Sequence, residues 1–213
     1  MSAPVLLKIY EAPSIDRKEI LRYAGCKEAD APTDALLEEC LAEAQECLTY
    51  RVCYQVAPLK IDGDRCDFGG FSVCSKKLAQ NLRGCKEAVL FAATVGVGID
   101  RLIGKDLRIS PAKAMMLDAI GTERIEALCD AFCKDLGICR PRFSPGYGDL
   151  RLEVQKDLLT LLDCSRKINL CLTDRFLMTP SKSVTAFAGF GGGEERSEKC
   201  SQCSKKDCEF RRS

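Results

Sequence analysis

The hydrophobic pattern divides the chain into short elements of two periods. Residues 5–10 form a brief apolar run rich in β-formers and predict an opening strand. Pro13, Ser14, Ile15 and Asp16 start a short helix that ends near Gly25. Thr33 and Asp34 can cap a second helix, whose Leu37, Cys40, Leu41, Ala44, Cys47 and Leu48 fall three and four apart. From residue 51 the character changes. Residues 52–56, 59–64 and 68–71 predict a strand meander with an Asp-Gly turn, followed by a short helix over 75–82. Residues 88–95 are apolar almost without interruption, which predicts a strand covered on both faces.

Gly96-Val97-Gly98 ends that strand and leads into a helix through residues 100–103. Pro111 begins the longest helix, running to about Leu136, with Leu117, Ile125, Leu128, Phe132 and Leu136 as its core stripe. Glu123, Arg124 and Glu126 are expected on its other faces. Residues 140–149 carry two prolines and two glycines and predict a loop. A helix over 150–162, a strand near 168–172, a turn at Met178-Thr179-Pro180 and a strand over 184–190 complete the pattern. Gly189 to Gly193 reads as a hinge, so the expected organisation is one domain over 1–190 and a Cys-rich tail over 191–213. The mixture predicts an α+β fold with a mostly antiparallel sheet and flanking helices.

Composition narrows the chemistry. The 213 residues carry 32 basic and 31 acidic side chains, a net charge of +1, so neither nucleic acid nor an anionic membrane is an expected partner. No apolar run approaches the roughly 18 residues of a membrane-crossing helix. The first residues lack the basic start of a secretory signal, and a cytoplasmic location is expected. Histidine is absent, which removes histidine bases, triads and Cys/His zinc fingers. Fifteen cysteines, an odd number without a secretory signal, point to free thiols, metal ligands and a compartment or organism poor in oxygen.

The strongest metal signal is Cys200-x-x-Cys203 followed by Cys208. Such spacing can hold zinc or an iron–sulfur cluster, with a fourth ligand from elsewhere. Cys40, Cys47, Cys129 and Cys133 lie on apolar helix faces and read as core residues. Cys139, Cys164 and Cys171 stay open as possible fourth ligands. Gly96-x-Gly98 lacks the third glycine of a dinucleotide-binding fingerprint and reads as a strand-to-helix turn. In the loop, Arg142 offers a fixed fork of donors for a carboxylate or phosphate. Pro145-Gly146 allows close backbone approach, and Tyr147 offers an aromatic face to a cation. That set suits a zwitterion bearing a sulfonium.

Three segments resemble one family in the same order. Arg142-Phe143-Ser144-Pro145-Gly146-Tyr147 is similar to the Arg-x-x-x-Gly-Tyr signature of the activation (reactivation) domain of vitamin B12-dependent methionine synthase. Ala93-Thr94-Val95-Gly96-Val97-Gly98-Ile99-Asp100 and the long helix after it resemble a second stretch of that domain. Leu172-Thr173-Asp174-Arg175-Phe176-Leu177-Met178-Thr179-Pro180 and Ser183-Val184 resemble a third. The likeness spans residues 86–190, in a short form with a Cys-rich tail resembling those of anaerobic bacteria.

The resemblance implies a C-shaped α+β domain with a twisted antiparallel sheet that binds S-adenosylmethionine. It implies reductive methylation of cob(II)alamin held by a partner chain, a cobalamin-dependent methionine synthase or related corrinoid protein, with a flavodoxin- or ferredoxin-type electron donor. Carried over, Arg142 would clamp the methionyl carboxylate. Ser144 and Gly146 would hold the adenosyl part through the backbone, and Tyr147 would lie near the sulfonium or corrin. Glu126, or Glu123 in its place, would accept from the ligand's amino group. No residue of this chain is implied as a general acid or base. The alternatives are a metal-binding redox or interaction module built on the cysteine tail, and an activator of another corrinoid methyltransferase.

Overall fold

The computed structural model describes residues 3–26, 30–138 and 140–190. Its centre is a four-stranded antiparallel sheet in the order β1 (Leu6–Tyr10), β2 (Tyr50–Pro58), β6 (Glu87–Thr94), β9 (Ser183–Phe190). A three-stranded meander, β3 (Lys60–Asp62), β4 (Arg65–Asp67) and β5 (Ser72–Cys74), and a two-stranded ribbon, β7 (Cys171–Leu172) and β8 (Met178–Thr179), stand apart from it. The helices are α1 (Arg17–Tyr23), α2 (Ala31–Gln45), α3 (Lys76–Asn81), α4 (Gly98–Asp106), α5 (Pro111–Asp135), α6 (Val154–Leu161) and α7 (Cys164–Ile168). This is the α+β arrangement that the pattern predicts.

Period-two alternation sorts the sheet's side chains into two cores. Val52, Val89, Phe91, Ala93, Ala186 and Ala188 face one way and meet Ile20 of α1, Leu37 and Leu41 of α2, Ile99 of α4 and Leu117, Leu128 and Phe132 of α5. Cys53, Ala88, Leu90, Ala92 and Phe187 face the other way and meet the meander, α3, α6 and α7. From Ala88 to Thr94 strand β6 is buried at every residue. That is why its sequence shows no alternation: both faces are covered, as in a parallel sheet, although its neighbours run antiparallel.

Several boundaries differ from expectation. Asp30, not Thr33 or Asp34, caps α2; its carboxylate accepts from the Thr33 amide at 3.0 Å, and Pro32 sits harmlessly in the first turn. Phe68 to Phe71 turns the chain between β4 and β5 instead of forming a strand, and Phe68 stacks on Phe187 at 5.1 Å. Helix α6 begins only at Val154, because Leu150 is buried beneath the preceding loop and accepts from the Gly146 amide at 2.9 Å. The strand expected near 168–172 forms only over Cys171–Leu172, because α7 runs on through Ile168. Asn169 then takes a left-handed conformation that reverses the chain, and Leu170 enters the second core. Gly189 belongs to β9 and not to a hinge: a Cβ there would lie 2.6 Å from Cys85 Sγ. Gly191 to Gly193 lie outside the described residues.

The Gly-Val-Gly turn is a packing device. A Cβ on Gly98 would stand 2.4 Å from the Cys47 carbonyl oxygen, so glycine lets the start of α4 press on the end of α2. Asp100 on that first turn accepts from Ser181 N at 2.8 Å and Ser181 Oγ at 2.6 Å. Ser183 Oγ lies 2.8 Å from both Thr94 Oγ1 and the Pro180 carbonyl. Two of the three sequence segments singled out above are thus stitched to each other across the sheet.

Glu123 and Arg124 are not surface decoration. Both are buried, bonded to each other at 2.5 Å, and together they hold residues 13–16. Arg124 donates to the Pro13 and Ser14 carbonyls at 2.6 and 2.7 Å, and Glu123 accepts from the Asp16 amide at 3.1 Å. Among the described residues, no helix is long and apolar enough to cross a membrane.

Two stability outcomes follow. Gly98→Ala forces backbone against the new methyl and is expected to cost about 1–3 kcal/mol in urea unfolding. Glu123→Ala strands the Arg124 charge in the core and is expected to cost about 3–5 kcal/mol in the same measurement.

Candidate functional site

Residues 140–149 run along the outer edge of β9. Phe143 and Phe187 exchange backbone hydrogen bonds at 2.9 Å each, a single bridge that continues the sheet by one residue. Phe143 points into the second core. Its neighbour Arg142 therefore points the opposite way, to α5.

There Arg142 meets two carboxylates one helical turn apart. Its two terminal nitrogens donate to Glu126 Oε2 and Asp130 Oδ1, each at 2.5 Å. Only 7% of the Arg142 side chain is exposed, against 32% of Glu126 and 52% of Asp130. Burial opposes the guanidinium charge, but the Glu126 and Asp130 carboxylates that accept from it more than offset this and push the Arg142 pKa up. Burial likewise pushes the Cys129 thiol up, keeping it neutral. One cation and two anions leave this cluster with a charge of −1, and its anionic part faces outward.

The rest of the loop is a pair of tight turns. Tyr147 N donates to Ser144 O at 3.1 Å and Leu150 N to Tyr147 O at 3.1 Å, with Gly146 at φ +84°. Pro145 is buried, Ser144 is half-buried, and Tyr147 stands 64% exposed with its ring edge-on to Phe143 at 5.4 Å. The structure thus brings Arg142 and Glu126 into direct contact, with Ser144, Gly146 and Tyr147 on the turns that follow. Glu123, the rival to Glu126, is spent on holding residues 13–16.

Two residues of this region escape sequence reasoning. Asp130 is the second acid on Arg142; its four-residue spacing from Glu126 carries the signal, but only once Arg142 is known to face α5. Asp149 fixes the loop's far end. Its carboxylate accepts from Ser75 Oγ at 2.5 Å, Lys76 N at 2.8 Å and Lys77 N at 3.2 Å, at the start of α3. Nothing in the local sequence pairs residues 75 and 149.

Cys200, Cys203 and Cys208 lie outside the described residues, as does Cys139. Among the described residues, no group of three or more Cys, Asp or Glu could hold a metal. Cys40, Cys129 and Cys133 are buried core residues, Cys47 is half-buried, Cys164 is buried and Cys171 exposed.

No protein-family model matches the sequence, and no curated protein matches it. Among solved structures the chain is similar to a crystal structure of the MetH reactivation domain bound to AdoHcy, with a TM-score of 0.64 and 14% identity. The match covers 88% of this chain and 78% of that one. At that identity the likeness establishes the fold, which is the one the sequence motifs anticipate.

The Ser75 hydroxyl, then the Lys77 and Lys76 amides, hold the Asp149 carboxyl below the usual carboxylate range. A depressed folded pKa contributes stability that is complete above the unfolded value of about 3.9 and is lost as pH falls through the folded value. Asp149→Ala is accordingly expected to lower the urea midpoint at pH 7. The gap from the native protein should narrow below about pH 4. A gap independent of pH would show that the Asp149 charge does not anchor the loop.

Proposed function

We propose that this chain binds S-adenosylmethionine at the loop carrying Arg142 and Tyr147 and acts as a reactivation partner of a corrinoid methyltransferase, a cobalamin-dependent methionine synthase first of all. One observation carries the reading. A buried guanidinium, two half-exposed carboxylates and an exposed phenol converge on one loop. They do so on a fold whose solved counterpart is described as bound to AdoHcy.

Each group has a task suited to its chemistry. Arg142 has five N–H donors, and the two that reach Glu126 and Asp130 leave others for the ligand's carboxylate. Glu126 and Asp130 keep lone pairs for its ammonium. Their net negative charge favours a ligand that also carries a sulfonium. The Ser144 backbone and Gly146 let the adenosyl part approach closely, and the Tyr147 ring faces the sulfonium or the corrin. The methyl acceptor would be cobalamin held by the partner, and S-adenosylhomocysteine would be the product that leaves. The cobalamin supplies the nucleophile. This chain orients the methyl and excludes water, which is what a transfer needing no general acid or base requires. The reducing electron comes from an external donor of flavodoxin or ferredoxin type. In the same reading, residues 191–213 form an appendage in which Cys200, Cys203 and Cys208 hold zinc or an iron–sulfur cluster; their spacing supports it. Metal and sulfide analysis of anaerobically purified protein separates the two.

Calorimetric titration with S-adenosylmethionine under anaerobic conditions tests the reading. The native chain should release heat. Arg142→Ala and Glu126→Gln should each weaken binding at least about tenfold, the loss of one charge-assisted contact. Circular dichroism checks that each variant keeps the fold. Equal affinity in folded Arg142→Ala, or no binding by the native chain even with its corrinoid partner present, would overturn the assignment.

A further inference from the structure

The second core holds a chemistry that the proposed function leaves unused. Cys53 of β2 and Cys164, the first residue of α7, place their sulfurs 3.5 Å apart although 111 residues separate them in the chain. Both residues are fully buried. Two thiols at that distance need to close by about 1.5 Å to reach a disulfide bond length. A third thiol, Cys171, lies at the surface on the strand that follows α7. After α7 the left-handed Asn169 turns the chain back, and Leu170 N donates to Cys164 O at 3.2 Å. This returns Cys171 beside α7, where its Sγ lies 3.6 Å from Ser165 Oγ. Cys171 is exposed, and the residue it touches, Ser165, is the chain neighbour of Cys164.

We propose that Cys171, Cys164 and Cys53 form a thiol relay, in which oxidation by a peroxide enters at the exposed Cys171 and is stored inside the protein as a Cys53–Cys164 disulfide. The steps balance as follows. Peroxide oxidises the Cys171 thiol to a sulfenic acid and is itself reduced to one water. Cys164 gives up its proton as its sulfur attacks, the hydroxide leaves with that proton as a second water, and a Cys164–Cys171 disulfide forms. Cys53 attacks the Cys164 sulfur, and Cys171 leaves as a thiol carrying the proton that Cys53 gives up. Two thiols have lost two electrons and two protons to one peroxide.

The architecture suits entry at Cys171. The hydrogen bond between the two buried thiols, together with their burial, pushes the Cys164 pKa up, so Cys164 does not meet peroxide directly as a thiolate. An exposed entry point is therefore required, and Cys171 supplies it. Helix α7 is one short turn and a half, bounded by left-handed Asp163 and Asn169, and Cys171 follows it after two residues. The product joins β2 to α7 across more than a hundred residues, a long closed loop whose cross-link stabilises strongly.

The test uses the full chain, purified reduced and treated with one equivalent of hydrogen peroxide, then alkylated and mapped by mass spectrometry without reduction. The expected product is a Cys53–Cys164 cross-linked peptide. The melting midpoint should rise by about 5–10 °C, and dithiothreitol should reverse the rise. Cys171→Ser, an exposed substitution that leaves both cores intact, should slow formation of the same cross-link by about tenfold or more. Formation at the native rate in Cys171→Ser would overturn the relay. So would Cys171 oxidised to sulfinic acid, or paired elsewhere, while Cys53 and Cys164 alkylate freely.

Discussion

Strand β6 is the constraint on which the other elements depend. Apart from its first residue it is buried throughout, so the sheet must be covered on both faces. One cover is helical, built by α1, α2, α4 and α5. The other is mixed, built by the meander, α3, α6 and α7. Two covers on one sheet leave no direct route for water, and every polar group between the layers must then find a protein partner. Thr94 with Ser183 and Glu123 with Arg124 are solutions to that requirement.

The same requirement builds the candidate site. The loop over residues 140–149 has no helix or strand of its own to hold it. It borrows one residue of β9 through Phe143, one turn of α3 through Asp149 and two acids of α5 through Arg142. Three anchors on three different elements fix a segment that its glycines would otherwise loosen. Arg142 thereby serves two ends. Buried, it binds α5 to the loop, and its carboxylate partners remain half in solvent, where a cationic ligand can reach them.

Cysteine is distributed by the same logic of layers. Most of the described thiols substitute for small apolar residues inside the two cores. Cys53 and Cys164 differ in meeting sulfur to sulfur, where the sheet touches the shortest helix of the second cover. Reactivity there depends on proximity, which no composition can express.

The sequence by itself determined the layers. An uninterrupted apolar run meant a strand covered on both sides, and helical spacing put Leu117, Leu128 and Phe132 inward. A Pro- and Gly-rich segment could only be a loop, and its Arg-to-Tyr motif marked that loop as the place to look. These are local properties, set by periodicity and backbone chemistry within a few residues. The tertiary structure alone decided the pairings. Arg142 could have met no acid or several, Glu123 and Glu126 both sat on the helix facing it, and Ile168 could have entered a strand. Those choices turned on contacts such as Arg142 to Asp130, Asp149 to Ser75 and Cys53 to Cys164. Their partners are up to 111 residues apart and carry no local signal, because burial and charge pairing are settled only where the chain meets itself.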